Sequence, residues 1–154
     1  ATGVIQGLAF GADLPVAPVS TLAALAQQTI NEPENHTVYA ALDARMGEVY
    51  WCEYLIEKGA LRAVSNEVVI APTNICVEQG KKAVGIGHGW KTYENELNNI
   101  VQAESLLIKA AGLPRAKEVA QLAVKMVEAG DTVKAEHALP VYLRDNVAKK
   151  KAQQ

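Results

Sequence analysis

Val38 to Leu55, VYAALDARMGEVYWCEYL, is the stretch whose reading decides the fold. Val38-Tyr39-Ala40-Ala41-Leu42 is a continuous apolar run rich in β-formers, which predicts a strand buried on both faces. Glu48 to Leu55 predicts a second strand, with Tyr50, Trp51 and Tyr54 as aromatic packing residues. Between them, Asp43-Ala44-Arg45-Met46-Gly47 reads as the turn of a β-hairpin, with Asp at its mouth and Gly where a positive φ is cheap.

On the N-terminal side, Val4 to Gly11 predicts the end of a helix stopped by glycine. Pro15 to Val19 is an extended piece, and Ser20 or Thr21 caps a helix running to about Gln28. Asn31 to His36 is polar and proline-broken, a linker between lobes. On the C-terminal side, Ala63 to Ile70 predicts a third strand, and Pro72 opens a short helix through Gln79. Lys82 to Gly87 predicts a fourth strand, Trp90 to Leu97 a helix and Ile100 to Ala103 a fifth strand, while Leu106 to Ala111 suits either state. Arg115 to Ala129 is a helix with Val119, Leu122, Ala123, Met126 and Val127 on one face and Gly130 as its stop. The end is extended around Val141-Tyr142-Leu143 and then polar. The order predicts an α/β fold with an antiparallel start and a parallel continuation.

The chain has 154 residues, 49% of them hydrophobic, and a formal net charge of −2. That balance gives no electrostatic footprint for nucleic acid. The basic cluster of Arg144 and Lys149 to Lys151 reads as a solvated tail. Cys52 and Cys76 form no CxxC and read as two lone buried thiols within regular elements, suited to a reducing cytosol. No apolar run has the length of a membrane span and the start has no basic leader pattern, so a cytoplasmic location is expected.

Four segments resemble the TsaB (YeaZ) family: QGLAFGADLPVAPVSTL near the start, the hairpin DARMGEVY, the turn VGIGHGW and the ending EHALPVYLRDNVA. They occur in the family's order and span nearly the whole chain. The resemblance implies an actin-like ATPase and sugar-kinase (ASKHA) fold, here mostly the second lobe. Residues 1–35 would be a remnant of the first lobe, 36–140 the second lobe and 141–154 an extended segment with a basic tail. The family's opening strands and PGSFTG-like segment do not precede Val4, so most of the first lobe is expected to be missing.

The resemblance further implies an accessory, non-catalytic subunit of the bacterial tRNA threonylcarbamoyladenosine machinery. Its expected partners are the paralogue TsaD and the ATPase TsaE, with tRNA met only through the complex. A homodimer of the isolated chain is left open. No cofactor is required by the chain itself, and ATP or ADP is expected at an interface with partner subunits. An apolar stripe of Ile5, Leu8 and Ala9, with Gly7 permitting close approach, is the candidate interface, and a core role suits the same stripe.

Related folds hold a nucleotide phosphate and its metal at an acidic hairpin tip. That makes Asp43, Arg45, Gly85 and Gly87 a candidate, degenerate nucleotide site. Arg45 and Met46 are bulky where backbone amides would approach a phosphate, although the Arg45 guanidinium suits an anion. An ion pair of Arg45 with Asp43 or Glu48 is the structural alternative. Gly85-x-Gly87-x-Gly89 sits between a strand and a helix, where phosphates are cradled, yet its spacing is not GxGxxG and a tight turn also needs glycines.

His36, His88 and His137 make no HxxxH or HExxH, so no metal site is assigned. TsaD carries two metal-binding histidines in an NHLEGH-like stretch after a strand resembling Pro15 to Val19. The corresponding residues here are Ser20 to Leu25, with Thr21 and Leu25 at i and i+4, and leucine has no donor atom for a metal. Ser20, Ser65 and Ser105 lack a GxSxG context, so the older glycoprotease naming of the wider family finds no catalytic residue here.

Overall fold

The computed structural model describes residues 2–32, 35–80 and 82–144. The predicted hairpin is its centre. Strands β1 (His36–Arg45) and β2 (Glu48–Glu57) pair antiparallel from His36↔Ile56 to Arg45↔Glu48. β3 (Ala60–Ala63) and β4 (Val68–Ile70) both pair with the outer edge of β2. The predicted single strand over 63–70 is therefore two short strands, with residues 64–67 looping between them. On the other side of β1, β5 (Lys82–Ile86) and β6 (Ser105–Lys109) add in parallel, giving the order β3-β2-β1-β5-β6.

Strand alternation sends side chains to two cores. Val38, Ala40, Cys52, Tyr54 and Ile56 face helix α2 (Thr21–Gln27), meeting Leu22, Leu25 and Ala26. Tyr39, Ala41, Val49 and Trp51 face the short helices α3 (Gly89–Thr92) and α4 (Glu94–Ile100), meeting Trp90 and Leu97. Trp51 stacks on Tyr39 with ring centroids 5.4 Å apart, which is the packing role expected of the strand aromatics.

Helix α1 (Thr2–Ala12) runs through Gly11; Asp13 stops it instead, at φ 52°. Leu14 N then donates to Ala9 O at 2.9 Å, closing the end as a left-handed C-terminal residue allows. The extended segment after it makes a single bridge, Val16 to Val133. Ser20 caps α2, its Oγ accepting from Leu22 N and Ala23 N.

The proline-led helix to Gln79 is only a 3₁₀ turn over Pro72–Asn74. Ile100 to Ala103 is not a strand: Ile100 closes α4, and the strand is Ser105–Lys109. Tyr93 divides the helix predicted over 90–97. Helix α5 (Ala116–Ala129) ends at Gly130 with φ 77°, as the glycine stop predicts. Its apolar face is only half covered, because α5 rests on α2 rather than on the sheet and Val127 stays exposed. Cys52 is buried in β2, whereas Cys76 is exposed in an irregular segment, against the expectation for both thiols. The segment around Val141 to Leu143 is irregular, and Lys149 to Lys151 lie outside the described residues.

Candidate functional site

The hairpin tip is tighter than the five residues suggested. β1 continues through Asp43 and Ala44 to Arg45, leaving a two-residue turn of Met46 (φ 57°) and Gly47 (φ 78°). Both angles are left-handed, the geometry that matches strand twist in two-residue hairpins. The register shifts between Asp43 and Arg45, so Ala44 is an extra, bulged residue. The bulge turns the Asp43 carboxylate back on its own strand end. Oδ1 accepts from Arg45 N at 2.8 Å and from the Tyr93 hydroxyl at 3.3 Å. Burial, followed by the neighbouring Asp43 charge, holds the Tyr93 hydroxyl above its ordinary pKa. Arg45 lies 3.8 Å from Asp43 Oδ2 with its side chain 88% exposed, a surface pair worth under ~1 kcal/mol. Glu48, the other partner considered for Arg45, pairs with Arg144 at 2.6 Å.

The glycine turn comes up against this tip. Asp43 N donates to His88 Nδ1 at 3.2 Å, so His88 joins the turn to the hairpin in the tautomer protonated at Nε2. The glycines answer to packing. A Cβ on Gly85 would stand 2.4 Å from the Trp90 ring, and one on Gly87 would stand 2.3 Å from Ala41 O. Gly87 also has φ 103°, a conformation closed to side-chain-bearing residues, and Gly89 meets Ala41 again at 2.9 Å. Trp90, locked by a 2.9 Å bond from its Nε1 to Tyr39 O, fills the space over Gly85. Three amides of the turn are spent internally: Gly87 N on Lys109 O, Trp90 N on Gly87 O and Lys91 N on His88 O.

The structure thus brings Asp43, Arg45 and the Gly85–Gly87 turn together, but as a closed joint. The carboxylate is engaged, and the close approach the glycines permit is taken by Ala41 and Trp90. These residues do not fit a bound phosphate within this chain as it stands. Among the described residues, no group of three or more His, Cys, Asp and Glu is placed to hold a metal.

The remaining sequence candidates separate. Ile5 and Leu8 are 50% and 67% exposed, but Ala9 turns inward and is buried, so it leaves the candidate interface; Val4 and Phe10 join the exposed apolar set. Leu25 is fully buried among Leu22, Val38 and Ile86, while Thr21 is exposed. Ser20 Oγ is engaged with Glu67 and with the α2 amides, and Ser65 Oγ accepts from Glu53 N at 2.9 Å. Both hydroxyls serve structure. Sequence reasoning missed Tyr93 and Arg144, and it placed Arg144 in a solvated tail, whereas its side chain is 13% exposed. Neither carries a local signal, since each meets the tip from a segment distant in sequence.

With the geometry in place, the comparisons with known proteins decide the lineage. The family described as "TsaD: tRNA N6-adenosine threonylcarbamoyltransferase" matches residues 1–152. The tRNA threonylcarbamoyladenosine biosynthesis protein TsaB of Escherichia coli K12 is 41% identical over 97% of this chain and 65% of its own length. The chain belongs to this family, on its TsaB (YeaZ) branch. The TsaB protein of Haemophilus influenzae is 35% identical over the same shares of each chain. The structure of YeaZ from Pseudomonas aeruginosa matches with a TM-score of 0.80 at 40% identity, over 93% of this chain and 65% of that one. A second solved structure, described as an uncharacterized protein with similarity to peptidase YEAZ from Pseudomonas aeruginosa, also has a TM-score of 0.80, at 39% identity. The TsaB-branch chain therefore spans about two thirds of the length of the relatives it matches, and its ASKHA-related fold is theirs.

Proposed function

We propose that the protein containing this chain is an accessory, non-catalytic subunit in the formation of tRNA threonylcarbamoyladenosine. In this reading it pairs with TsaD, which transfers the threonylcarbamoyl group to the adenosine beside the anticodon of ANN-reading tRNAs, and it supports a site shared with TsaE in the cytoplasm. It meets tRNA only through the complex. It needs no cofactor of its own, and any ATP or ADP is held at an interface between subunits.

The observation that carries the reading is Leu25. At the α2 position where the catalytic paralogue's resemblance calls for a metal-binding histidine, this chain places a leucine fully buried in the sheet core. The closed joint at Asp43 supports the same conclusion. The exposed apolar side chains of α1 supply the surface for pairing.

Reconstitution tests it. Threonylcarbamoyl transfer by TsaD, TsaE and the threonylcarbamoyl-adenylate synthase should collapse when the full-length protein is left out and recover when it is added back. Undiminished modification in its absence would overturn the proposal. So would ATP turnover by the isolated full-length protein that is lost on substituting Asp43.

A further inference from the structure

Arg45, Met46 and Gly47 stand in succession at φ 65°, 57° and 78°. Two of the three bear side chains, and such residues stay in that region only when their surroundings hold them there. The bulge at Ala44 adds a second demand, because its carbonyl has lost its place in the β1–β2 ladder.

Both demands are met from the far end of the chain. Arg144 Nη2 donates to Ala44 O at 3.0 Å, to Arg45 O at 3.4 Å, and stands 2.6 Å from Glu48 Oε2. Its Nη1 reaches Met46 Sδ at 3.4 Å. One guanidinium fork therefore touches both strand ends and the turn of the hairpin. Its planar, multi-donor geometry suits that task as a lysine would not. The segment it belongs to, residues 138–144, also lines a cavity of about 690 Å³ with Leu42 and Tyr50 of the two hairpin strands. Leu139, Val141 and Tyr142 on this segment are largely exposed, so few of its own side chains hold it down.

We propose that Arg144 is a latch, a positioning residue that keeps the hairpin tip in its left-handed form and couples it to the C-terminal segment. With the latch closed, Arg45 N is aimed at Asp43 Oδ1, and the carboxylate is engaged. With Arg144 withdrawn, Arg45 returns to ordinary φ and its amide leaves Asp43, whose Oδ1 then keeps only the Tyr93 hydroxyl of its two donors. The position of residues 138–144 thus sets the state of the joint at Asp43. This inference rests on the tip geometry alone and stands or falls apart from the tRNA-modification reading.

Amide hydrogen exchange on the full-length protein tests it. Arg144→Ala should raise exchange at Arg45, Met46 and Glu48 by about tenfold or more, while Val38 to Ala41 in the same strand stay protected. Arg144→Lys, which keeps the charge but loses the fork, should open the same amides to a smaller degree. Adding Met46→Gly to Arg144→Ala should restore part of the lost protection, because glycine needs no latch to hold a positive φ. Unchanged exchange at the tip in Arg144→Ala, or an increase spread evenly through β1 and β2, overturns the latch. So does failure of Met46→Gly to rescue. Should Arg144→Ala not fold, Arg144→Lys carries the test, and no selective opening of the tip by that variant overturns it.

Discussion

Gly87 shows how much a single residue decides at this joint. Its φ of 103° and the 2.3 Å separation of a built Cβ from Ala41 O leave no room for any side chain, and backbone cannot step aside as a flexible side chain would. Gly87→Ala should cost on the order of 3 kcal/mol or more, read as a fall in the urea midpoint at unchanged slope. Tyr39 makes a second prediction at this scale. Burial first, and then the charges of Glu53 and Glu78, push its hydroxyl up to about 12 from 10. The folded state therefore favours the neutral phenol, and that share of stability is complete below pH 10 and lost as pH rises from 10 toward 12. The loss is at most about 2–3 kcal/mol. Thermal melts should show a decline above pH 10 that is shallower in Tyr39→Phe.

Among elements, α2 is the hinge between sequence pattern and tertiary demand. Ser20 accepts from two α2 amides while donating to Glu67, which also accepts from the Tyr54 hydroxyl at 3.1 Å. The cap thus ties a seven-residue helix to both the 64–67 loop and β2, which matters because a helix this short is not stable by itself. Ser20→Ala should cost about 1–2 kcal/mol, and Ser20→Asp should recover little of it, since a carboxylate caps the helix but faces Glu67 as a like charge. Chemical denaturation of the two variants checks this. The strands were legible because β1 and β2 carry long runs with alternating partners. The 63–70 segment was not, because its interruption at 64–67 follows from where β2 offers an edge, which no local pattern records. The same holds for residues 100–109, where Val101 is drawn into the Trp90 and Leu97 core and the strand begins four residues later.

For the whole molecule, α1 presents an exposed apolar surface. Val4, Leu8 and Phe10 are each at least 66% exposed, so a charge there costs the chain little stability of its own. Leu8→Asp in the full-length protein should leave its melting temperature within a few degrees and weaken pairing with TsaD by at least about tenfold, as expected for an apolar anchor at an interface core. Analytical ultracentrifugation of the mixture measures it, and intact pairing would remove α1 from the proposed interface. Leu25→His is the complementary test. It should destabilise the chain by about 3 kcal/mol without creating zinc affinity, because the new imidazole enters a packed core and, among the described residues, no group of three or more His, Cys, Asp and Glu is placed to hold a metal.

Sequence alone determined the hairpin, the burial of β1 on both faces, a cap at Ser20 or Thr21, the stop at Gly130 and the lineage, since these rest on periodicity, capping chemistry and motif order within short windows. Tertiary structure decided the rest. Whether the glycines at 85 and 87 cradle a ligand or admit Trp90 and Ala41 depends on how Trp90 folds back over Gly85 and on the arrival of Ala41 from a strand distant in sequence. That Ala9 turns inward and that Arg144 grips the hairpin likewise depend on contacts between segments distant along the chain. Close packing settles such choices, because each space is filled once, and a linear pattern does not say by what.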